Sequence, residues 1–420
     1  MYFAFHKFLN SKPKTKNSKL VAALLDWFAA NARDLPWRRT RDPYAIWVSE
    51  IMLQQTQVKT VIPFWNRWLR ELPTIEAVAK APSAKIHKLW EGLGYYTRVR
   101  NLQKAAQVIV AECRRRGDES QIKNKSETPH VVSYNFPEHF DEVLALPGIG
   151  RYTAGAICSI AFNQPTPILD GNVIRVLTRV FGIVENPREK EANLKLWKLA
   201  EELVCRAKAF RCGKPPGESA REDARTTKNQ NCSHLNQSLM ELGALVCTPR
   251  QPQCPVCPVR KLCVAFHDNR IGELPNLDKR TTATARHFMA FVVEQQGRLL
   301  VRQRPGGVVN AHLWEFPNAE SNGTAAKDVF KSIFGIAPPV LQPLCTVKHS
   351  ITRYRITLEA LLVQFGGRRS TTSKILRARG TRPSESSGVW LTPAAMRRLA
   401  FSSAHKKLAS AAADCILSGR

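Results

Sequence analysis

RDPYAIWVSEIMLQQTQVKTV, residues 41–61, sets one carboxylate, Glu50, into an otherwise apolar helical run. Asp42 is a natural N-cap, Pro43 suits the first helical position, and nothing that follows breaks a helix before Pro63. On such a helix Glu50 shares its face with Ile46 and Trp47 one turn behind and with Leu53 and Gln54 one turn ahead. A carboxylate among apolar groups loses solvation in its charged form, so a raised pKa is expected, which suits a general acid. The plainer account is a solvated helix glutamate or a salt-bridge partner, and other stretches must decide.

With 420 residues there is room for two or three domains with full-sized cores. A formal net charge of +29, from 63 Lys+Arg against 34 Asp+Glu, points to a polyanionic partner, most simply nucleic acid, bound through counterion release. No apolar run reaches the roughly 18 residues of a membrane span, and MYFAFHKFLNSKPKTKNSK lacks the apolar core and cleavage site of a secretory leader. An intracellular, cytoplasmic, DNA-associated protein with no membrane partner is therefore expected. Of 11 cysteines, four crowd between Cys247 and Cys263, a clustering that metal binding explains better than disulfides in a reducing compartment.

Residues 18–28 form an amphipathic helix, and LPWRR (35–39) links it to the Glu50 helix. The pattern stays helical over 63–113, with Pro73 and Pro82 opening new segments and GLGYYTRVRN (92–101) as a turn feeding a helix. Residues 117–135 and 212–233 are polar and pattern-free and read as exposed insertions; between them, 140–182 returns to short helices separated by glycine and proline turns. From 267 to 285 the chain reads as a linker. Beyond it HFMAFVVEQQGRLLVRQRP reads as two strands around a Gln-Gly turn, and YRITLEALLVQF as another. The expected organisation is an all-α part over 18–266 and an α+β domain over 286–420.

LPGIGRYTAGAI (146–157) places two glycines and a proline between helical segments. Gly148 and Gly150 let the backbone approach a ligand, and the amides of the next helix can face a phosphate, so Leu146, Gly148, Ile149 and Gly150 form a candidate DNA-gripping hairpin. A plain interhelical turn is the alternative. PILDGNVIRVLTRV (167–180) runs from extended chain into a helix capped by Asp170. Capping does not exclude catalysis, because a carboxylate held by amide donors is expected to stay ionised near neutral pH. Glu50 protonated and Asp170 anionic would divide labour as cleavage of a bond to an anomeric carbon requires. Cys247, Cys254, Cys257 and Cys263, with six, two and five residues between them, have the grouping of a metal site, and spacing alone does not separate zinc from an iron-sulfur cluster. Arg250, Arg260 and Lys261 make those loops positive, suited to lie against DNA. The other seven cysteines read as ordinary thiols.

LPWR, VSEIMLQQTQV, GLGYYTRVRNL, LPGIGRYTAGAI, ILDGNVIRV, ELGALVC and the cysteine spacing stand in family order over residues 18–266. By them the chain resembles the adenine DNA glycosylases of the MutY family, within the helix-hairpin-helix glycosylases. That resemblance implies an all-α core carrying a 4Fe-4S cluster on the four cysteines, with cluster redox not needed for hydrolysis. It implies that Glu50 protonates the adenine leaving group and helps activate water, that Asp170 stabilises the oxocarbenium-like sugar, and that Asn172 supports Asp170. Tyr152 stands where the related endonuclease III carries a lysine that forms a Schiff base. A phenol cannot form that imine, so a monofunctional glycosylase is implied.

Adenine must leave the helix to be cut. The resemblance assigns Gln55 as the wedge in the vacated duplex, Tyr95 as the residue intercalating beside the oxidised guanine, and Arg38 and Gln237 as the lining of the adenine pocket. From chemistry alone each reads as an ordinary surface polar or packed aromatic residue. The C-terminal part resembles the Nudix-like domain with which the family senses 8-oxoguanine, through QRP (303–305), LWEFP (313–317) and KHSITRYRITL (348–358). It has no glutamate-rich REXXEE segment, so nucleotide hydrolysis is not expected. The family's Phe-Ser-His loop is replaced by Ile351, Thr352 and Arg353: Thr352 keeps a hydroxyl, the aromatic and the histidine are lost, and Arg353 is a candidate phosphate contact; Ser350 and Thr352 are the candidate contacts to the lesion. The implied substrate is double-stranded DNA holding adenine opposite 8-oxoguanine or guanine, bound by a monomer. Two other readings stay open: an endonuclease III-like glycosylase and AP lyase acting on oxidised pyrimidines, and a non-catalytic zinc-containing DNA-binding protein.

Overall fold

The computed structural model describes residues 11–116, 136–210, 230–278, 282–338, 340–351, 353–364 and 388–417. They form two compact units: the described residues of Met1–Ala79 and Leu102–Lys279, and those of Lys80–Asn101 and Arg280–Arg420. The helices are α1 (Ser11–Asn31), α2 (Pro43–Leu53), α3 (Val58–Glu71), α4 (Ile75–Lys80), α5 (Ser83–Trp90), α6 (Thr97–Arg116), α7 (Phe140–Leu144), α8 (Arg151–Phe162), α9 (Gly171–Phe181), α10 (Lys190–Ala209), α11 (Asn231–Leu245) and α12 (Val264–His267). No helix among the described residues is long and apolar enough to cross a membrane.

Asp42 caps α2 as expected, its carboxylate accepting the Tyr44 amide at 3.0 Å. Every residue from Tyr44 to Met52 is buried, so α2 is an interior helix. The helix does not run on to Pro63: it ends at Leu53, Gln55 takes a φ of 57°, and α3 begins at Val58 with Pro63 inside it. Proline in a helix interior costs about 3 kcal/mol. Burying Val61, Trp65 and Trp68 on one face of α3 returns roughly 1.5–3 kcal/mol for each side chain, so the amphipathic pattern wins over the breaker. The main core of this unit joins Leu20 and Leu24 of α1, Ile160 of α8, Val176 of α9, Leu196 and Leu203 of α10, and Leu239 of α11.

The expected insertion at 212–233 is too long by three residues, because α11 starts at Asn231, whose side chain donates to Phe210 O at 2.7 Å, and Ser233 is buried. Its remainder up to 229, and all of 117–135, lie outside the described residues.

In the second unit β1 (Thr284–Gln295) and β2 (Arg298–Gln303) form the foreseen hairpin, with Gln296 and Gly297 at φ values of 51° and 71°, the left-handed pair of a tight two-residue turn. β3 (Trp314–Glu315), β4 (Asn318–Glu320), α13 (Ala326–Phe334), β5 (Val340–Ile351), β6 (Tyr354–Gln364), β7 (Val389–Leu391), α14 (Pro393–Met396) and α15 (Ser403–Leu417) complete it. The sheet order is β3-β2-β1-β6-β5, with β4 on β1 and β7 on β2; β1 and β6 run parallel and the other pairs antiparallel. Side chains alternate across the sheet: Ala290 and Val292 share one core with Phe401, Leu408 and Ala412, while Phe291 and Val293 share the other with Val329, Phe330 and Phe334. The architecture is thus an all-α part and an α+β part with helices on both faces of a mixed sheet.

Candidate active site

α2 and α8 pack together and bring Glu50 to Tyr152, whose phenol donates to Glu50 Oε2 at 2.9 Å and also reaches the Met240 sulfur at 3.3 Å. Glu50 is only 6% exposed, beside the fully buried Ile46 and Trp47. Burial pushes its pKa up to about 7; the Tyr152 hydrogen bond and the Arg38 charge work against that rise, and the negative charge of Asp170 adds to it. The expected acid is therefore half protonated near neutral pH, and Tyr152 is held between Glu50 and the core.

Asp170 caps α9, accepting from the amides of Asn172 at 3.0 Å and Val173 at 2.8 Å and from the Asn172 side chain at 2.9 Å. Burial nonetheless lifts its pKa above the ordinary carboxylate value, and these donors with the Arg175 charge offset only part of that. The expectation that amide donors alone set its ionisation omitted its desolvation. Two close approaches place it. A side chain on Gly155 would meet Pro167 O at 2.2 Å, and one on Gly243 would meet Asn172 Cβ at 2.6 Å. Arg175, not foreseen, continues the chain of contacts by donating to Asn172 Oδ1 and Gly243 O at 2.8 Å and to Cys247 O at 2.7 Å.

Arg38 and Gln237 do meet: Arg38 Nε donates to Gln237 Oε1 at 3.0 Å, and the Gln237 amide nitrogen donates to Ser233 Oγ at 3.0 Å. Behind them stands Glu241, a residue the sequence reading passed over. It is 1% exposed and accepts from Arg38 Nη1 and Nη2 at 3.1 and 2.9 Å and from Arg33 Nε and Nη2, each at 2.7 Å. Burial alone would raise its pKa, but the two arginines hold it down to about 2. The spacing of Gln237 and Glu241, one helical turn apart on α11, is the signal that could have found it.

Cys247, Cys254, Cys257 and Cys263 line one cavity with Val176, Leu242 and Arg179, enclosing about 390 Å³ of atom-free space with open solvent included. Among the described residues no three His, Cys, Asp or Glu side chains stand close enough to share a single ion. The two observations agree if the thiols surround a space wider than one ion. Arg179 approaches the Cys247 sulfur at 3.4 Å, the kind of cationic neighbour that suits thiolates.

Gln55 is exposed and Tyr95 is 44% exposed, and both are non-glycine residues in the left-handed region, at φ values of 57° and 46°. Such conformations recur at ligand clamps. In the hairpin between α7 and α8, Leu146 and Ile149 are buried anchors, Gly148 has a φ of 78°, and a side chain on Gly150 would meet nothing within 4 Å, leaving main chain open for approach. Ser350 is exposed near the end of β5; Thr352 lies outside the described residues. Arg353 donates to the Tyr354 hydroxyl at 3.0 Å.

The sequence profile of HhH-GPD superfamily base excision DNA repair proteins matches residues 48–202, and that of the NUDIX domain matches 288–411. The adenine DNA glycosylase of Rattus norvegicus is 33% identical over 445 residues, spanning 92% of this chain and 76% of its own, and that of Homo sapiens is 32% identical over 446 residues, spanning 92% and 72%. A solved thermostable thymine-DNA glycosylase is similar at 27% identity and a TM-score of 0.47, covering 61% of this chain and 100% of that one. The two profiles define the class, a helix-hairpin-helix base-excision DNA glycosylase carrying a Nudix domain. Within that class the chain belongs to the adenine DNA glycosylases.

Proposed function

We propose that this enzyme hydrolyses the glycosidic bond of adenine mispaired with 8-oxoguanine or guanine in duplex DNA, acting as a monomer and without cutting the strand. The observation that carries the reading is a buried carboxyl poised near pH 7, Glu50, hydrogen-bonded by a phenol and within electrostatic reach of a second carboxylate, Asp170. Protonated Glu50 donates to a nitrogen of the flipped adenine as the bond to the anomeric carbon breaks. Asp170, held by the α9 amides that it caps and by Asn172, stabilises the positive sugar; water then adds to that carbon and returns a proton to the Glu50 carboxylate, leaving free adenine and an abasic site. Tyr152 offers no amine for a Schiff base, which favours the monofunctional reading over an AP lyase.

Arg38 and Gln237, held by Glu241, line the base pocket in this reading. Gln55 fills the vacated duplex, Tyr95 stacks beside the lesion, and the backbone of residues 146–150 grips phosphate. Ser350 and Thr352 lie in the segment that senses 8-oxoguanine. In this reading the domains run over 18–266, 267–285 and 286–420, with residues 80–101 of the first packed into the compact unit of the third. Cys247, Cys254, Cys257 and Cys263 would hold a 4Fe-4S cluster, supported by the cavity they share. When bound, the cluster would cross-link the loops around Arg250, Arg260 and Lys261; hydrolysis needs no electron from it.

The test is adenine release from duplexes holding adenine opposite 8-oxoguanine, guanine or thymine, with borohydride trapping on an abasic duplex. Fastest release opposite 8-oxoguanine without efficient trapping is the expected outcome. Strand cleavage with an efficiently trapped covalent complex would establish the lyase instead, and equal rates against all three partners would remove the 8-oxoguanine element.

A further inference from the structure

Glu91 breaks a local rule. It sits at the C-cap of α5, where the helix dipole disfavours a carboxylate, and yet it is only 8% exposed. What holds it there comes largely from residues far along the chain. Its Oε1 accepts the Phe401 amide at 3.0 Å, while Oε2 accepts Lys88 Nζ at 2.8 Å and Lys406 Nζ of α15 at 2.9 Å. Lys88 also donates to Leu399 O at 2.9 Å. Two further contacts run parallel to this one: Arg100 donates to Ala311 O at 3.0 Å, and the His87 and His312 rings stack at 6.5 Å. Residues 80–101 accordingly belong to the same compact unit as the C-terminal sheet.

Directly after Glu91 comes the turn that carries Tyr95. Gly92 and Gly94 take positive φ, at 118° and 69°, with no Cβ to clash, whereas Tyr95 at 46° holds a left-handed conformation that its surroundings must impose. Arg98 imposes part of it, donating to Leu93 O at 3.0 Å and Gly94 O at 3.2 Å with its guanidinium over the Trp90 and Tyr95 rings. Trp90 Nε1 adds a bond to Gly94 O at 3.0 Å. The result is an exposed aromatic ring held still at one end of a charged anchor, a surface on which a nucleobase can stack.

We propose that Glu91 is a positioning residue for lesion discrimination, tying the Tyr95 turn to the α15 end of the C-terminal part so that the two act as one body. This rests on the reading that the enzyme prefers adenine opposite 8-oxoguanine. A free surface glutamate would leave Tyr95 on a turn fastened by Arg98 and Trp90 alone. With the anchor in place, whatever orders the C-terminal part on DNA also orders the stacking ring.

The experiment measures single-turnover rate constants for adenine release opposite 8-oxoguanine and opposite guanine, using the full chain and saturating enzyme. Wild type is compared with Glu91→Gln, which keeps an acceptor for the Phe401 amide but loses the charge, and with Lys406→Met, which changes an exposed side chain and leaves the core untouched. An unfolded fraction changes the amplitude and leaves the ratio of rate constants alone. Both variants should lower the ratio, Glu91→Gln by about tenfold, the size expected for losing charged hydrogen bonds. Ratios equal to wild type in both variants would overturn the clamp. A wild-type ratio of one would remove the 8-oxoguanine reading itself, and the clamp's role with it.

Discussion

Tyr152 donates its phenolic hydrogen to Glu50 Oε2 at 2.9 Å, joining two residues 102 positions apart. The bond stabilises the charged form of Glu50 against the burial that raises its pKa to about 7. Tyr152→Phe removes that donor, so the Glu50 pKa should rise further. If protonated Glu50 is the working form, release falls as pH rises through about 7 in wild type, and this alkaline limb moves to higher pH in the variant. The pH profile of single-turnover release measures it; a limb that stays in place would separate Tyr152 from the acid.

Glu50 also leaves a signature in stability. Its pKa is raised from 4.5 unfolded to about 7 folded, so the folded state holds the proton more tightly, and its contribution declines as pH rises from 4.5 to 7. Keeping the charge buried above pH 7 costs about 3 kcal/mol. Glu50→Gln should therefore unfold at higher denaturant than wild type at pH 8, with the gap closing toward pH 4. A gap that does not change with pH would place Glu50 in contact with water.

Glu241→Ala leaves the Arg33 and Arg38 guanidinium groups without their shared acceptor. Removing one partner of a fully buried ion pair costs about 3–5 kcal/mol, and less is expected here because the Arg33 side chain is 35% exposed; Arg38 then loses the support that aims it at Gln237. Denaturant unfolding and adenine release should both suffer, with release depressed even at temperatures where the fold persists. In wild type the same group gives stability present above pH 4.5 and lost as pH falls toward about 2.

Gly243→Ala would put a methyl group 2.6 Å from Asn172 Cβ, and the backbone of α11 has little freedom to yield. Overpacking of this kind costs about 1–3 kcal/mol. Asn172 must shift, taking with it a donor to Asp170, so release should slow more than DNA binding weakens. Titration of binding to a duplex carrying a non-cleavable adenine analogue separates the two.

Much of this site could be read in the chain because its signals are local. Asp42 and Asp170 announce themselves as caps, Glu50 by its apolar neighbours, and the Gln296-Gly297 hairpin by its turn chemistry. What could not be read is set by partners distant in sequence. Gln55 bends α2 away from α3 with no glycine to mark the break, and Pro63 sits in a helix because Val61, Trp65 and Trp68 need burial. The Arg33, Arg38 and Glu241 cluster spans more than 200 positions between its halves. β5 escaped notice because Pro343 and a bulge before Cys345 interrupt its alternation, although β6 pairs along most of its length. Glu91 reads locally as a misplaced helix-end acid until Phe401 and Lys406 are seen beside it.

The central claim is that Glu50 gives its proton to the departing base. Single-turnover adenine release from a duplex with adenine opposite 8-oxoguanine, compared between wild type and Glu50→Gln at pH 7, tests it most directly. Glutamine keeps the shape and an acceptor for Tyr152 but carries no acidic proton, so the rate constant should fall by about 10²–10⁴-fold with DNA affinity retained. Release at the wild-type rate would contradict the account.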